Sequence, residues 1–108
     1  MTSVVQRQAY GSPVDFESVR RDWAGEGFSF GVFRDSPGQE WNDFVHDSDE
    51  YVLVAEGRMT ITVGAESFEA AAGDLIRIPR GTSHSLQTLS VSGSVWLYGY
   101  GFWERGDG

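Results

Sequence analysis

From residue 28 onward the chain breaks into short apolar runs separated by Gly, Pro, Asp and Ser, and this punctuation limits the fold more than any other feature. Ser36-Pro37-Gly38 and Pro79-Arg80-Gly81 are turn sequences. Gly64-Ala65 suits a two-residue hairpin loop with glycine first, and Val91-Ser92-Gly93 closes another. The runs between them predict strands over 28–34, 40–45, 50–56, 59–63, 67–70, 75–78, 83–89 and 94–102. One stretch has helical character, 15–23. Asp15 is placed to cap it, Phe16, Val19 and Trp23 recur at three- and four-residue spacing, and Gly25 ends it. Residues 1–14 read as an extended arm that pairs at a sheet edge. A single short helix covers little, so two antiparallel sheets must bury each other. The expectation is an all-β barrel with one short N-terminal helix, and at 108 residues a single domain over 1–108.

Side chains alternate across a strand, so parity predicts which residues share an interior. Glu50, Val52 and Val54 fall on one face, and Tyr51, Leu53 and Ala55 on the other. Phe44 shares a face with His46, opposite Asp43 and Val45, while His84 goes with Leu86 and Thr88. In the last strand Trp96, Tyr98, Tyr100 and Phe102 line one face, which suits packing or a dimer contact. Trp41 or Tyr98 reaching a cavity is the lesser reading of those aromatics. Phe44 reads as core.

Composition removes several classes of function. There is no cysteine, so neither a disulfide framework nor a thiol nucleophile or ligand is available. All eight basic residues are arginine, which excludes lysine Schiff-base chemistry. A net charge of -8 argues against binding nucleic acid, which needs basic surface. Arg77 and Arg80 are read as solvated rather than as anion anchors, and Asp47 and Asp49 as solvated loop acids. No apolar run reaches the length of a membrane helix, and the N-terminus lacks a signal-peptide core, so a cytoplasmic protein without membrane contact is expected.

The chain has two histidines, His46 and His84, and Glu50 follows the first by four residues. Two imidazoles and a carboxylate drawn from separate strands are a common way to hold a divalent metal with open coordination positions. The surrounding residues match two longer patterns. Gly38, His46, Glu50 and Gly57 fit G-x5-H-x-H-x3-E-x6-G, with Phe44 at the first histidine. Gly73, Pro79, Gly81 and His84 fit G-x5-P-x-G-x2-H-x3-N, with Thr88 at the asparagine. Motif one spans 38–57 and motif two 73–88, and together they make the chain resemble the cupins.

That resemblance implies a double-stranded β-helix, or jelly-roll barrel. It also implies one divalent transition metal (Fe, Mn, Ni, Co, Zn or Cu) on His46, Glu50 and His84. Trp41, Phe44 and Tyr98 are the candidates, read from the aromatic residues themselves, for a pocket beside them. The ligand that the resemblance implies is a small oxygen-rich organic molecule, the enzyme classes are metal-dependent dioxygenase or isomerase, and the assembly is a homodimer. A metal-free binding or sensing barrel, with histidines that only hydrogen-bond, is the alternative. The residues alone leave open whether the protein is an enzyme.

Overall fold

The computed structural model describes residues 4–103, which form two antiparallel sheets and one helix. In chain order the elements are β1 (Val5–Gln6), α1 (Phe16–Gly25), β2 (Gly31–Asp35), β3 (Glu40–Phe44), β4 (Asp49–Glu56), β5 (Arg58–Val63), β6 (Glu66–Ala71), β7 (Leu75–Ile78), β8 (His84–Thr88) and β9 (Ser94–Gly101). The five-stranded sheet has the order β1-β7-β4-β9-β2, and the four-stranded sheet β3-β8-β5-β6. Neighbours such as β4 and β9, or β3 and β8, are distant in sequence, which gives the jelly-roll connection between the sheets.

The sheets bury each other through Val52 and Val54 from β4, Met59 and Ile61 from β5, and Leu86 and Trp96 from β8 and β9. The five-stranded sheet is covered on its other face as well. A second core of Val19, Trp23, Phe28, Tyr51, Leu53 and Leu97 lies there under α1. For this reason β4 is buried from Asp49 through Ala55 without alternation, and both of its parity sets are apolar. One helix therefore covers more than the sequence suggests.

Space for the helix comes from missing side chains. A Cβ at Gly99 would overlap the Ser29 carbonyl oxygen and come within 2.7 Å of the Trp23 ring, and one at Gly101 would lie 2.6 Å from Phe28. We expect Gly99→Ala to destabilise the protein by about 1–3 kcal/mol through overpacking, read as a lower urea midpoint. An unchanged midpoint would mean that the helix rides looser on the sheet than described.

The Asp15 carboxylate caps α1 by accepting from the Glu17 and Ser18 amides at 3.1 and 3.4 Å. The helix runs two residues beyond the expected 23. The strand expected from residue 28 begins instead at Gly31, because the Phe28 amide donates to the Trp23 carbonyl at 2.8 Å and closes the helix end. In the arm, Val5 and Gln6 pair with Ile76 and Leu75 at the sheet edge. Among the described residues no helix is long and apolar enough to cross a membrane.

Candidate metal centre

Three elements bring the site together. Glu50 follows the first residue of β4 and faces inward with Val52 and Val54, opposite Ile78 of β7 and Tyr100 of β9. Only 3% of it is exposed. His84 opens β8 and pairs with Phe44 on one side and Val63 on the other. Its Nδ1 lies 3.1 Å from the Thr82 carbonyl oxygen, a contact that places the proton on Nδ1 and turns Nε2 inward. His46 sits in the loop between β3 and β4. The Gly81 amide holds that loop by donating to the His46 carbonyl at 2.9 Å. The turn glycine of motif two thus fixes the histidine of motif one.

Both imidazoles point at one oxygen. Nε2 of His84 lies 3.3 Å from Glu50 Oε1, and Nε2 of His46 lies 3.6 Å from the same atom. The three donor atoms all fall within 4.8 Å of one another. Bonds of about 2.1 Å around a tetrahedral or octahedral ion separate neighbouring donors by about 3.0–3.4 Å, and the two His–Glu separations of 3.3 and 3.6 Å come close to that spacing.

The electrostatics fit a cation. Glu50 Oε1 is buried and accepts no hydrogen bond, which is costly for a carboxylate oxygen. Burial works against a charged His84, but the Glu50 carboxylate and the Thr82 carbonyl outweigh it and raise the pKa above its ordinary value. Once His84 loses that proton, its Nε2 lone pair and Glu50 Oε1 are two acceptors facing each other, and the gap calls for a positive charge. Tyr100 feels the same carboxylate: burial first, then Glu50 and Tyr98, push its hydroxyl up to about 12.

The triad closes one end of a cavity of about 180 Å³. Tyr100 stands beside it, Leu86 contributes on the β8 side, and Phe33, Trp41, Phe44 and Trp96 supply aromatic walls. Trp41 and Phe44 have opposite parity in β3, yet both reach this cavity. A β-bulge explains it. The pairing advances three residues on β3, from Trp41 to Phe44, while β8 advances two, from Leu86 to His84. Asp43 takes the extra position at φ 59°, and its amide donates to Ser85 Oγ at 3.0 Å. Its side chain stays exposed and outside the donor cluster.

Several readings of single residues change. Phe44 is 39% exposed at the cavity mouth rather than in the core. Tyr98 lies across Gly31 and stacks on Phe33 at 5.1 Å, one position back from the lining, which Tyr100 occupies. Strand alternation, which puts Tyr100 on one face with Trp96 and Tyr98, was the one sequence signal for Tyr100. Phe102, expected in the last strand, lies one residue past β9 and does not follow the β9 rings inward. It is 64% exposed, with the Arg80 guanidinium 5.3 Å above its ring.

Asp49 is not a solvated loop acid. It is fully buried in β4 and accepts from the Arg80 amide at 2.7 Å, Arg80 Nη1 at 3.0 Å and the Trp103 amide at 2.7 Å. Arg80 is therefore a structural partner of Asp49. Arg77 bonds to Gln6 at 3.0 Å, and neither arginine lines the cavity. Asp47 is exposed, as expected. Thr88 is buried and bonds to Ser94 at 2.7 Å, so it joins β8 to β9. Asp35 was not singled out at all. Its Oδ2 accepts from the indole nitrogens of both Trp41, at 2.9 Å, and Trp96, at 2.7 Å, fixing two cavity walls on one carboxylate.

Comparison with known proteins agrees with this architecture. A family model described as a cupin domain matches residues 31–98, from β2 into β9, and so includes the whole triad. The chain is a cupin. An uncharacterised Sinorhizobium fredii protein, y4oW, is 43% identical over 44 residues, 41% of this cupin and 20% of that protein. An uncharacterised Streptomyces coelicolor protein, SCO3923, is 32% identical over 62 residues, 57% of this chain and 59% of the relative. Among solved structures, the cupin domain of Schizosaccharomyces pombe Cnp3 superposes with a TM-score of 0.66 at 20% identity, over 69% of this cupin and 52% of that chain. At that identity the likeness shows the fold alone. The matches cover a fifth to about three fifths of these relatives' lengths.

Proposed function

We propose that this cupin binds one divalent transition metal through His46, Glu50 and His84 and uses the adjoining cavity for a small organic ligand. The observation that carries the reading is Glu50 Oε1. This carboxylate oxygen is buried without a hydrogen-bond donor, and two imidazole nitrogens face it at 3.3 and 3.6 Å. A metal-free pair of histidines would satisfy that oxygen only while His84 keeps a proton on Nε2, and with His84 neutral the gap is left for a cation.

Imidazole nitrogens with one carboxylate suit Fe, Mn, Ni, Co, Zn or Cu. Three protein donors leave positions for a ligand, and the bound ion would supply Lewis-acid or redox chemistry there. Within the cavity the chain's remaining polar group is the Tyr100 hydroxyl, because the Trp41 and Trp96 indoles already donate to Asp35. Oxygen atoms of the ligand therefore belong at the metal end, and its apolar part against the rings. With Tyr100 pushed up to about 12, its hydroxyl keeps its proton at neutral pH and acts as a donor. Isomerisation or oxygenation of a chelating substrate fits such a site, with the residues positioning the ligand and excluding water.

The test is titration of protein purified without a histidine tag, with metal content and melting temperature followed together. One ion per chain and a raised melting temperature are expected. Absence of both with Fe, Mn, Ni, Co, Zn and Cu would overturn the reading.

The pH dependence has a definite sign. The folded-state pKa of His84 is raised, so in metal-free protein its contribution to stability is full below the ordinary imidazole value and is lost as pH rises through the higher folded value. Metal competes with that proton. The metal-induced rise in melting temperature should therefore be larger at about pH 8.5 than at about pH 6. A rise that is flat or reversed across this interval would argue against His84 as a ligand.

A further inference from the structure

A second cavity, of about 220 Å³, lies on the outside of the barrel, where the N-terminal arm, the end of α1 and the outer face of β4 and β7 meet. Glu50 and Tyr51 are neighbours in β4 with opposite parity, so Glu50 lines the inner cavity and Tyr51 the outer one. Nothing in the metal reading uses this outer space.

Its charged side chains are Asp22, Glu26 and Arg77, and among the described residues they form no ion pair. The Tyr10 hydroxyl donates to Asp22 Oδ2 at 2.9 Å, and the Tyr51 hydroxyl donates to Glu26 Oε1 at 2.7 Å. Burial first, and then these carboxylates, push both phenols up, so they keep their protons and hold the two acids in place as anions. The second oxygen of each carboxylate accepts nothing from a described residue. On the other side, the Arg77 guanidinium lies 5.7 Å over the Tyr51 ring and donates only to Gln6 Oε1, at 3.0 Å. Trp23 stacks beneath that ring at 5.2 Å. One fixed phenol therefore carries a cation over its face and an anion on its hydroxyl.

The end of α1 sharpens the negative side. The carbonyl end of a helix ordinarily attracts basic residues, yet the last turn of α1 has none. Arg20 is turned back to Glu17, and Arg21 to Ser18. Asp22 and Glu26 instead add two carboxylates to the negative pole, a departure from the favourable capping that Asp15 provides at the other end.

We propose that this outer cavity binds a small zwitterion of the free amino-acid class, its ammonium at Asp22 and Glu26 and its carboxylate at Arg77. An ammonium has three donors, enough for both free carboxylate oxygens, and a guanidinium with one N–H engaged keeps others for a carboxylate. A plain amine would face the guanidinium, and a plain acid would face two like charges. The volume equals the share of about seven waters in the liquid, which suits a short chain with a charge at each end.

The probe is 4-aminobutanoate, with butylamine and butanoate as controls that keep the chain and one charge each. Backbone amide shifts of the whole chain are titrated in the presence of a chelator, so that no ion in the barrel can take the carboxylate. Shifts are expected at Ala9, Tyr10 and Arg77 and not at Phe44 or Leu86. The zwitterion should bind at least tenfold more tightly than either control, the scale of losing one charged hydrogen-bonding partner. Arg77→Gln should reduce its affinity to that of butylamine, and Asp22→Asn should weaken it while leaving butanoate no weaker than before. Both positions are exposed, and a thermal melt checks that each variant is folded. Equal affinity for 4-aminobutanoate and butylamine, no shifts at Ala9, Tyr10 and Arg77, or a folded Arg77→Gln protein that binds as tightly as the parent would each overturn the proposal, and none of them bears on the metal site.

Discussion

Glu50→Gln is expected to lower metal affinity by roughly 100-fold or more while leaving the metal-free protein folded, and at high pH more stable than the parent. Both outcomes follow from Oε1, which is buried, accepts no hydrogen bond and faces Nε2 of His84 and of His46 at 3.3 and 3.6 Å. With His84 neutral, a carboxylate there opposes the lone pair on its Nε2. An amide can turn its NH2 toward that nitrogen and remove the conflict, worth on the order of 1–3 kcal/mol for a buried unsatisfied group. The same turn puts a donor where a ligand atom is required. Loss of binding together with gain of stability distinguishes a functional carboxylate from a structural one, since sites built for binding commonly carry such a penalty. A Glu50→Gln protein that melts lower than the parent at about pH 8.5, and binds metal equally well, would show that Glu50 serves the fold. Calorimetric titration and thermal melts of the two proteins side by side measure both quantities.

Asp49→Ala should have the largest effect on stability. The carboxylate is fully buried and takes three hydrogen bonds, two from Arg80 and one from the Trp103 amide. Its removal strands two backbone amides and the Arg80 guanidinium, whose side chain is 34% exposed. Losing one partner of a buried pair costs about 3–5 kcal/mol, and the partial exposure of Arg80 places this case near or somewhat below the lower end. For a domain of this size about 2–3 kcal/mol corresponds to a drop in melting temperature of roughly 10–20 °C. Metal affinity should fall as well. Arg80 lies in the turn whose Gly81 amide holds the His46 carbonyl, so freeing Arg80 loosens the loop that carries one of the three proposed donors. Asp47→Ala, at an exposed position one residue from His46, is the control and should change neither quantity. A drop of less than about 3 °C in Asp49→Ala would mean that the three bonds contribute little.

Much of this was legible in the residues. Turn chemistry located the breaks between the strands, and alternation put Glu50, Val52 and Val54 on one inner face. The motif spacing brought His46, Glu50 and His84 to one site. Four features were not legible, each for a physical reason. The bulge in β3 is specified by a backbone excursion at Asp43 rather than by a proline or glycine, so strict alternation, which sets Trp41 opposite Phe44, gives no sign of it. Asp49 and Arg80 looked like solvated surface because sequence shows charge but not the neighbour that buries it. Asp35 has no periodic signature, and its role depends on two indoles that lie six and sixty-one positions away. The extent of the outer core was hidden for a related reason. Gly99 and Gly101 look like weak points in a strand until Trp23 and Phe28 are seen filling the space above them.

The most direct measurement is a crystal structure of protein soaked with Co(II), with diffraction collected on both sides of the cobalt absorption edge. The account predicts one anomalous peak per chain, about 2.1 Å from Glu50 Oε1 and from Nε2 of both His46 and His84. A fully occupied cobalt elsewhere on the chain, or ordered side chains in all three positions with no peak between them, would contradict it.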